Sequence, residues 1–88
     1  MTAPGRVHHL DVRHLPPPEP MERVLELLPE LRPGDLIRMY HRREPFPLYG
    51  LLADAGFRHR ILTPEHCPFE IRIWPAAGPE PDPDDAER

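Results

Sequence analysis

Phe69-Glu70-Ile71-Arg72-Ile73-Trp74 alternates strictly, with Phe69, Ile71 and Ile73 on one side and Glu70, Arg72 and Trp74 on the other. Period-two alternation is the pattern of a β-strand with one face on an apolar core. A similar run precedes it, Phe57 to Leu62, with Phe57, His59 and Ile61 at odd positions and Arg58, Arg60 and Leu62 at even ones. Its charge suits a sheet edge, where unpaired backbone must be kept from pairing with other chains. Thr63-Pro64-Glu65-His66-Cys67-Pro68 lies between the two runs, so they read as an antiparallel hairpin with a turn-rich loop.

Upstream, strands alternate with helices. Val7 to Val12 reads as a short strand that stops where Pro16, Pro17, Pro18 and Pro20 forbid a ladder. Pro20 suits a first helical position, and Met21, Val24, Leu25, Leu28 and Leu31 then form an apolar stripe at helical spacing. Pro29 deletes a hydrogen bond inside that helix, so its last turn is expected to tighten or kink. Pro33-Gly34-Asp35 ends it, and Leu36 to Tyr40 is a second strand. A second helix is expected after Pro45 and Pro47, carrying Leu48, Leu51, Leu52 and Ala55 inward, with Gly56 as its C′ residue. The order βαβαββ predicts an α+β fold. Two right-handed crossovers put both helices on one face of a mixed four-stranded sheet, a two-layer sandwich with the other sheet face open. The most apolar strand, the last, belongs between the second and third, which gives the order 1-2-4-3. Loops after the first three strands then gather at one end of the sheet, where open α/β sheets bind ligands.

Composition narrows the function. Of 88 residues 15 are proline, and the stretch from Pro75 to Arg88 alone carries the net charge of -4. The remainder holds ten arginines against ten acids, with no basic excess to neutralise phosphates, so no nucleic-acid partner is expected. Lys, Ser, Asn and Gln are absent, which removes serine nucleophiles, Schiff-base lysines and the P-loop lysine. No apolar stretch approaches the ~18 residues of a membrane span, and the one cysteine, Cys67, cannot form an intramolecular disulfide. The expectation is a cytoplasmic protein without membrane contact. Residues 1–6 are expected to be flexible, 7–75 to form the domain, and 76–88 to be a disordered acidic, proline-rich tail, because that tail lacks apolar surface to bury.

Leu10-Asp11-Val12-Arg13-His14-Leu15-Pro16-Pro17-Pro18-Glu19-Pro20 resembles the first strand-helix junction of the TusA/SirA-like sulfur carriers, which read L-D-x-R-G-L-x-C-P-x-P there. Asp11, Arg13, Leu15, Pro18 and Pro20 match in register. His14 stands in place of the glycine, and Pro17 in place of the cysteine that carries the persulfide. His41 to Tyr49, together with Gly56-Phe57, is similar to an uncharacterised branch of that superfamily without the cysteine, a domain of unknown function. The resemblance spans residues 7 to 74. It implies the two-layer fold above and the loss of the carriers' own chemistry, so no catalytic residue and no cofactor is expected.

Candidate binding residues collect at the expected ligand end. Arg13, His14, Arg42 and Arg43 surround two helix N-termini, whose amides and partial positive charge favour an anion, and Arg offers a bidentate fork. Pro17 and Pro18 belong to the same end, as do His41 and Tyr49. Asp11 and Glu44 are close enough in sequence to neutralise those arginines instead, and Tyr49 to pack its ring in the core. The leading expectation is a non-catalytic binding or docking module for a partner protein or a small anion. The alternative is a metal- or redox-linked protein using His41, His66 and Cys67, with sulfur transfer through Cys67 as a variant. His8, His9 and His59 read as solvated strand residues. Arg38, Tyr40, Arg58, Arg60, Glu70, Arg72 and Trp74 are expected to line the open sheet face, a composition that suits an interface.

Overall fold

The computed structural model describes residues 5–81. Strand β1 (Val7–Asp11) is followed by helix α1 (Glu19–Leu27), a 3₁₀ turn (Leu28–Glu30), β2 (Leu36–His41), α2 (Phe46–Asp54), β3 (Phe57–Leu62) and β4 (Phe69–Pro75). The strands form one mixed sheet in the order β1-β2-β4-β3, the expected α+β arrangement. β4 runs antiparallel to both neighbours: Ile71 lies opposite Met39 and Ile61, and Ile73 opposite Ile37 and His59. β1 pairs in parallel with the far side of β2, Leu10 beside Met39.

The inner face of the sheet holds the core. Val12, Val24, Leu28, Ile37, Met39, Leu48, Leu52, Ile71 and Ile73 form one buried cluster, and Leu10, Leu15, Met21, Leu27 and Tyr49 pack around it. Proline shapes both helices. Pro29 sits inside the 3₁₀ turn that ends α1, where the tighter winding tolerates the missing amide. Pro20 and Pro47 each fall in the first turn of a helix, so α2 begins at Phe46, ahead of Pro47. The apolar stripes are narrower than the spacing suggested: Leu25 is 39 % and Leu51 41 % exposed, while Leu27 and Tyr49 take the places at their margins. Two short helices cannot cover the full width of four strands, and Ile61 on the edge strand β3 is also 39 % exposed.

Gly56 follows the last turn of α2 at φ +89°, a C′ conformation that a side chain would strain. Gly5 is required by space: a Cβ there would lie 1.8 Å from the Gly34 carbonyl oxygen. The buried Asp35 carboxylate draws these two segments together, accepting the backbone N–H groups of Arg6 at 2.9 Å and Arg32 at 3.0 Å. The expectations of a flexible start and a disordered tail fall largely on residues 1–4 and 82–88, outside the described residues.

The outer face is polar and ordered in rows. His9, Arg38, Arg72 and Arg60 stand side by side across all four strands, and Asp11, Tyr40, Glu70 and Leu62 form the next row. Glu70 is only 2 % exposed. It accepts Arg38 Nε at 3.1 Å, Arg38 Nη2 at 3.3 Å and Arg72 Nε at 2.9 Å. Burial pushes its carboxyl pKa up, and the two guanidinium groups overcome that push and hold it below its ordinary 4.5. Trp74 departs from the expected exposed interface: it is 7 % exposed, and Leu36 on the same face is fully buried. The chain beyond β4 turns back on this side. Ala76 N–H donates to the Gly56 carbonyl, a Cβ on Gly78 would lie 3.6 Å from Pro33, and Glu80 pairs with Arg60.

Glu70→Ala leaves Arg38 and Arg72 half-buried and facing each other, and is expected to destabilise the domain by about 2–3 kcal/mol. Urea unfolding measures the loss, and Glu70→Gln, which keeps acceptor and shape, should lose less.

Candidate functional site

The loops after β1 and β2 meet at the end of the sheet where the parallel pair β1-β2 finishes. Between them is a cavity of ≈ 220 Å³, lined by Pro17, Pro18, Pro20, Met21, His41, Arg43, Glu44, Pro45 and Pro47. Proline builds most of this wall for a local reason. Each strand-to-helix junction carries a Pro-x-Pro, Pro18-Glu19-Pro20 and Pro45-Phe46-Pro47, in which the first proline caps the helix and the second occupies its first turn. Rings locked at these positions present apolar edges to the gap between the helix starts.

The same prolines alter the chemistry expected of helix N-termini. Pro20 and Pro47 carry no N–H. Glu19 and Glu22 N–H donate to the carbonyls of Pro16 and Pro18, and Phe46 and Leu48 N–H to those of Glu44 and Pro45. Most first-turn amides are therefore spent inside the chain, leaving the positive ends of two dipoles but few donors for an anion. Glu44 in the wall adds a carboxylate that a bare anion would meet.

His41 is the buried polar residue of the cavity wall. At the last position of β2 it is 8 % exposed, and its Nδ1 accepts the Arg43 backbone N–H at 3.1 Å. Burial, and then the charges of Arg42 and Arg43, push its pKa below 6.5. The neutral ring with Nδ1 accepting carries its proton on Nε2, which has no hydrogen-bond partner among the described residues. The site thus combines an apolar wall, one imidazole N–H and the Arg43 guanidinium.

Of the residues singled out in the sequence, Pro17, Pro18, His41 and Arg43 line the cavity. Arg13 does not. Val12 is buried in the core, so by strand alternation Arg13 and Asp11 lie on the outer side, where Arg13 Nε and Nη2 hold the Asp11 carboxylate at 2.9 and 2.8 Å. That bidentate contact holds the Asp11 pKa down to about 2 and raises that of Arg13. His14 and Arg42 are exposed and outside the wall. Tyr49 is turned away: its ring stacks on His59 at 4.4 Å with 2° between the planes, its hydroxyl is buried without a partner among the described residues, and burial pushes its pKa up to about 12. Pro20, Met21, Glu44, Pro45 and Pro47 were not anticipated, although the repeated Pro-x-Pro at both junctions was the available signal.

The remaining histidines differ from a uniformly solvated set. His9 Nδ1 lies 2.9 Å from the Tyr40 hydroxyl, whereas His8 faces the helices with a buried Nε2 that has no partner among the described residues. Cys67 is 2 % exposed, its thiol donating to the Phe69 carbonyl at 3.1 Å with the His41 carbonyl at 3.6 Å. His66 is exposed, with its ring tilted toward that of Tyr40 at 6.4 Å. Among the described residues no three His, Cys, Asp or Glu side chains are grouped to hold a metal ion, and no helix is long and apolar enough to cross a membrane.

Comparison with known proteins returns one family, described as "Uncharacterized conserved protein (DUF2249)", which matches residues 9–75. The chain belongs to this family. The match starts within β1 and ends with β4, so the matched stretch contains both Pro-x-Pro junctions, His41 and all of the sheet except Val7 and His8. No curated protein and no solved structure matches the chain.

Two measurements probe the site. Because His41 is held neutral in the fold, its contribution to stability is complete above pH 6.5 and is lost as the pH falls through 6.5 toward its lower folded value. Urea midpoints between pH 7.5 and 5 should fall with acid, His41 contributing at most about 1.4 kcal/mol per pH unit, and the slope should flatten in His41→Asn. Cys67, buried with its thiol directed at backbone carbonyls, should react with a thiol reagent at least ~10-fold more slowly than glutathione at neutral pH. It should react fully in urea.

Proposed function

We propose that this domain is a non-catalytic docking module of the cytoplasm, related to the TusA/SirA-like carriers, which receives one side chain of a partner protein in the cavity between its two Pro-x-Pro junctions. The observation that carries this reading is the cavity's size and lining. At ≈ 220 Å³ it is smaller than the roughly 300–1,000 Å³ of ordinary ligand pockets and suits a single apolar side chain beside one hydrogen-bond acceptor. His41 Nε2–H supplies the donor for that acceptor. The scarcity of free amides and the presence of Glu44 favour such a side chain over a small anion.

The surroundings support an interface. Phe46, at the start of α2, is 69 % exposed next to the cavity, and Pro16, Pro17 and Pro18 are exposed on the other rim. Aromatic residues and arginine dominate binding energy at interfaces, and Phe46 with Arg42 and Arg43 offers both. Kinship with the carriers rests on the junction motif: Pro17, at the register of their cysteine, forms part of the cavity wall, which fits a junction that has kept a pocket and replaced its thiol.

Photo-crosslinking tests the reading. A benzoylphenylalanine at position 46 should capture one specific partner, with capture falling at least ~10-fold in Arg43→Glu, the loss of a hot-spot contact, and unchanged in Arg58→Glu on the opposite face. Capture indifferent to Arg43→Glu would remove the cavity from the interface. Stoichiometric binding of inorganic phosphate that is abolished by His41→Ala would replace the partner side chain with an anion.

A further inference from the structure

The edge of the sheet at β3 leaves a row of backbone groups open. The Gly56 carbonyl accepts the Ala76 N–H at 2.9 Å, so by antiparallel alternation the bonded pairs continue as Arg58 with Trp74, Arg60 with Arg72 and Leu62 with Glu70. Phe57, His59 and Ile61 fall between these pairs, and their amides and carbonyls point away from β4. Pro75, opposite Phe57, fits this register because it has no N–H to give. Among the described residues no backbone group outside β3 pairs with Phe57, His59 or Ile61.

The side chains at this edge are sorted by face. Arg58 and Arg60 stand exposed on the outer face, while Phe57, His59 and Ile61 stand on the inner one, where His59 is held flat against Tyr49 at 4.4 Å and Ile61 is 39 % exposed. A groove of ≈ 480 Å³ lies here, lined by Ala53, Phe57, Arg58, His59, Arg60 and Trp74. Open backbone, a groove and alternating side chains are the elements of strand addition, in which main-chain bonds give affinity and alternate side chains give specificity.

Charge selects the occupant. In a two-fold antiparallel pairing of β3 with a second copy centred on His59, Arg58 would lie opposite Arg60 twice over, and like charges directly opposite are destabilising. An acidic strand reverses the sign of those contacts. Arg60 shows the contact such a strand would make: Glu80, which belongs to no strand, is held through both Nε and Nη2, the latter at 2.8 Å. Arg58 has no acid partner among the described residues. The arginines thus guard the edge against its own kind and admit carboxylates.

We propose that β3 is the acceptor edge for β-strand addition by a partner segment that alternates carboxylates with aliphatic residues. Its acids lie beside Arg58 and Arg60 on the outer face, and its aliphatic side chains beside His59 and Ile61 on the inner. The site is separate from the proline cavity at the far ends of β1 and β2.

The test uses the full native chain and a capped peptide, Glu-Val-Glu-Val-Glu-Val, followed by the fluorescence of Trp74, the one tryptophan, which lines the groove. The peptide should bind at least ~10-fold more tightly than its isomer Glu-Glu-Glu-Val-Val-Val, and Arg58→Glu should weaken it at least ~10-fold. Amide exchange at Phe57, His59 and Ile61 should slow at least ~10-fold on saturation, with Arg58 and Arg60, already in the ladder, unchanged. Methylating the backbone nitrogens of all valines or of all glutamates removes donors from one edge of the peptide at a time. One set should abolish binding and the other leave it, the valine set for antiparallel addition and the glutamate set for parallel. The proposal is overturned by an absence of saturable binding, by equal affinity for the isomer or for Arg58→Glu, by equal effects of the two methylations, or by amides at Phe57, His59 and Ile61 that stay unprotected.

Discussion

The domain depends on β4 being placed between β2 and β3, and so on Glu70 being tolerated there. A strand with neighbours on both sides and helices on one face buries its inner residues, and Ile71 and Ile73 meet that requirement. Its outer residues are nearly as enclosed, because neighbouring arginines crowd in from either side and the chain beyond Pro75 turns back over one end. An unpaired carboxylate in that position would be strongly destabilising. Arg38 and Arg72 make it acceptable, and the Arg38 contact ties β2 to β4 on the outer face as Ile37, Met39, Ile71 and Ile73 do on the inner. The parallel half of the sheet and the hairpin half become one unit at that joint.

Proline controls the rest. It rigidifies the junctions after β1 and β2, starts both helices, tightens the end of α1 and fills the amide positions from which an anion site would have been made. The result at that end of the sheet is a largely apolar cleft with one imidazole donor and the Arg43 guanidinium in place of a cradle of free amides. An identical loop geometry with free first-turn amides would favour phosphate or carboxylate. In the docking role proposed for this chain, the same end of the fold takes a side chain instead. The two polar resources of the molecule are thereby separated: the imidazole and Arg43 at the end of the sheet, the arginine row across its outer face.

Much of this architecture could be read from the chain directly. Strand β4 announced itself by alternation, Gly56 and Pro33-Gly34 marked helix ends, and Pro29 marked the tightened turn, because each acts through neighbours in sequence. The cavity was legible only in part. His41, Arg43, Pro17 and Pro18 were named because the topology brings their loops together, but Arg13 and Tyr49 were named with them and belong elsewhere. Arg13 pairs with Asp11 on the outer side, and Tyr49 stacks on His59, a residue ten positions away across the α2–β3 turn.

What the sequence by itself determined were the properties set by local stereochemistry: where strands alternate, where proline and glycine start and stop helices, and which strand is apolar enough to be central. Tertiary structure alone decided which side of an element faces a partner and what it meets there. Leu25 and Leu51 sit at helical spacing yet reach solvent, Trp74 lies on the open face yet is buried, and Cys67 lies in a loop yet is enclosed. The physical reason is that burial is a property of neighbours brought together across the chain. A periodic pattern specifies a face, and only packing against the remaining elements fixes how much of that face is covered and which charges, such as Glu80 on Arg60, arrive to meet it.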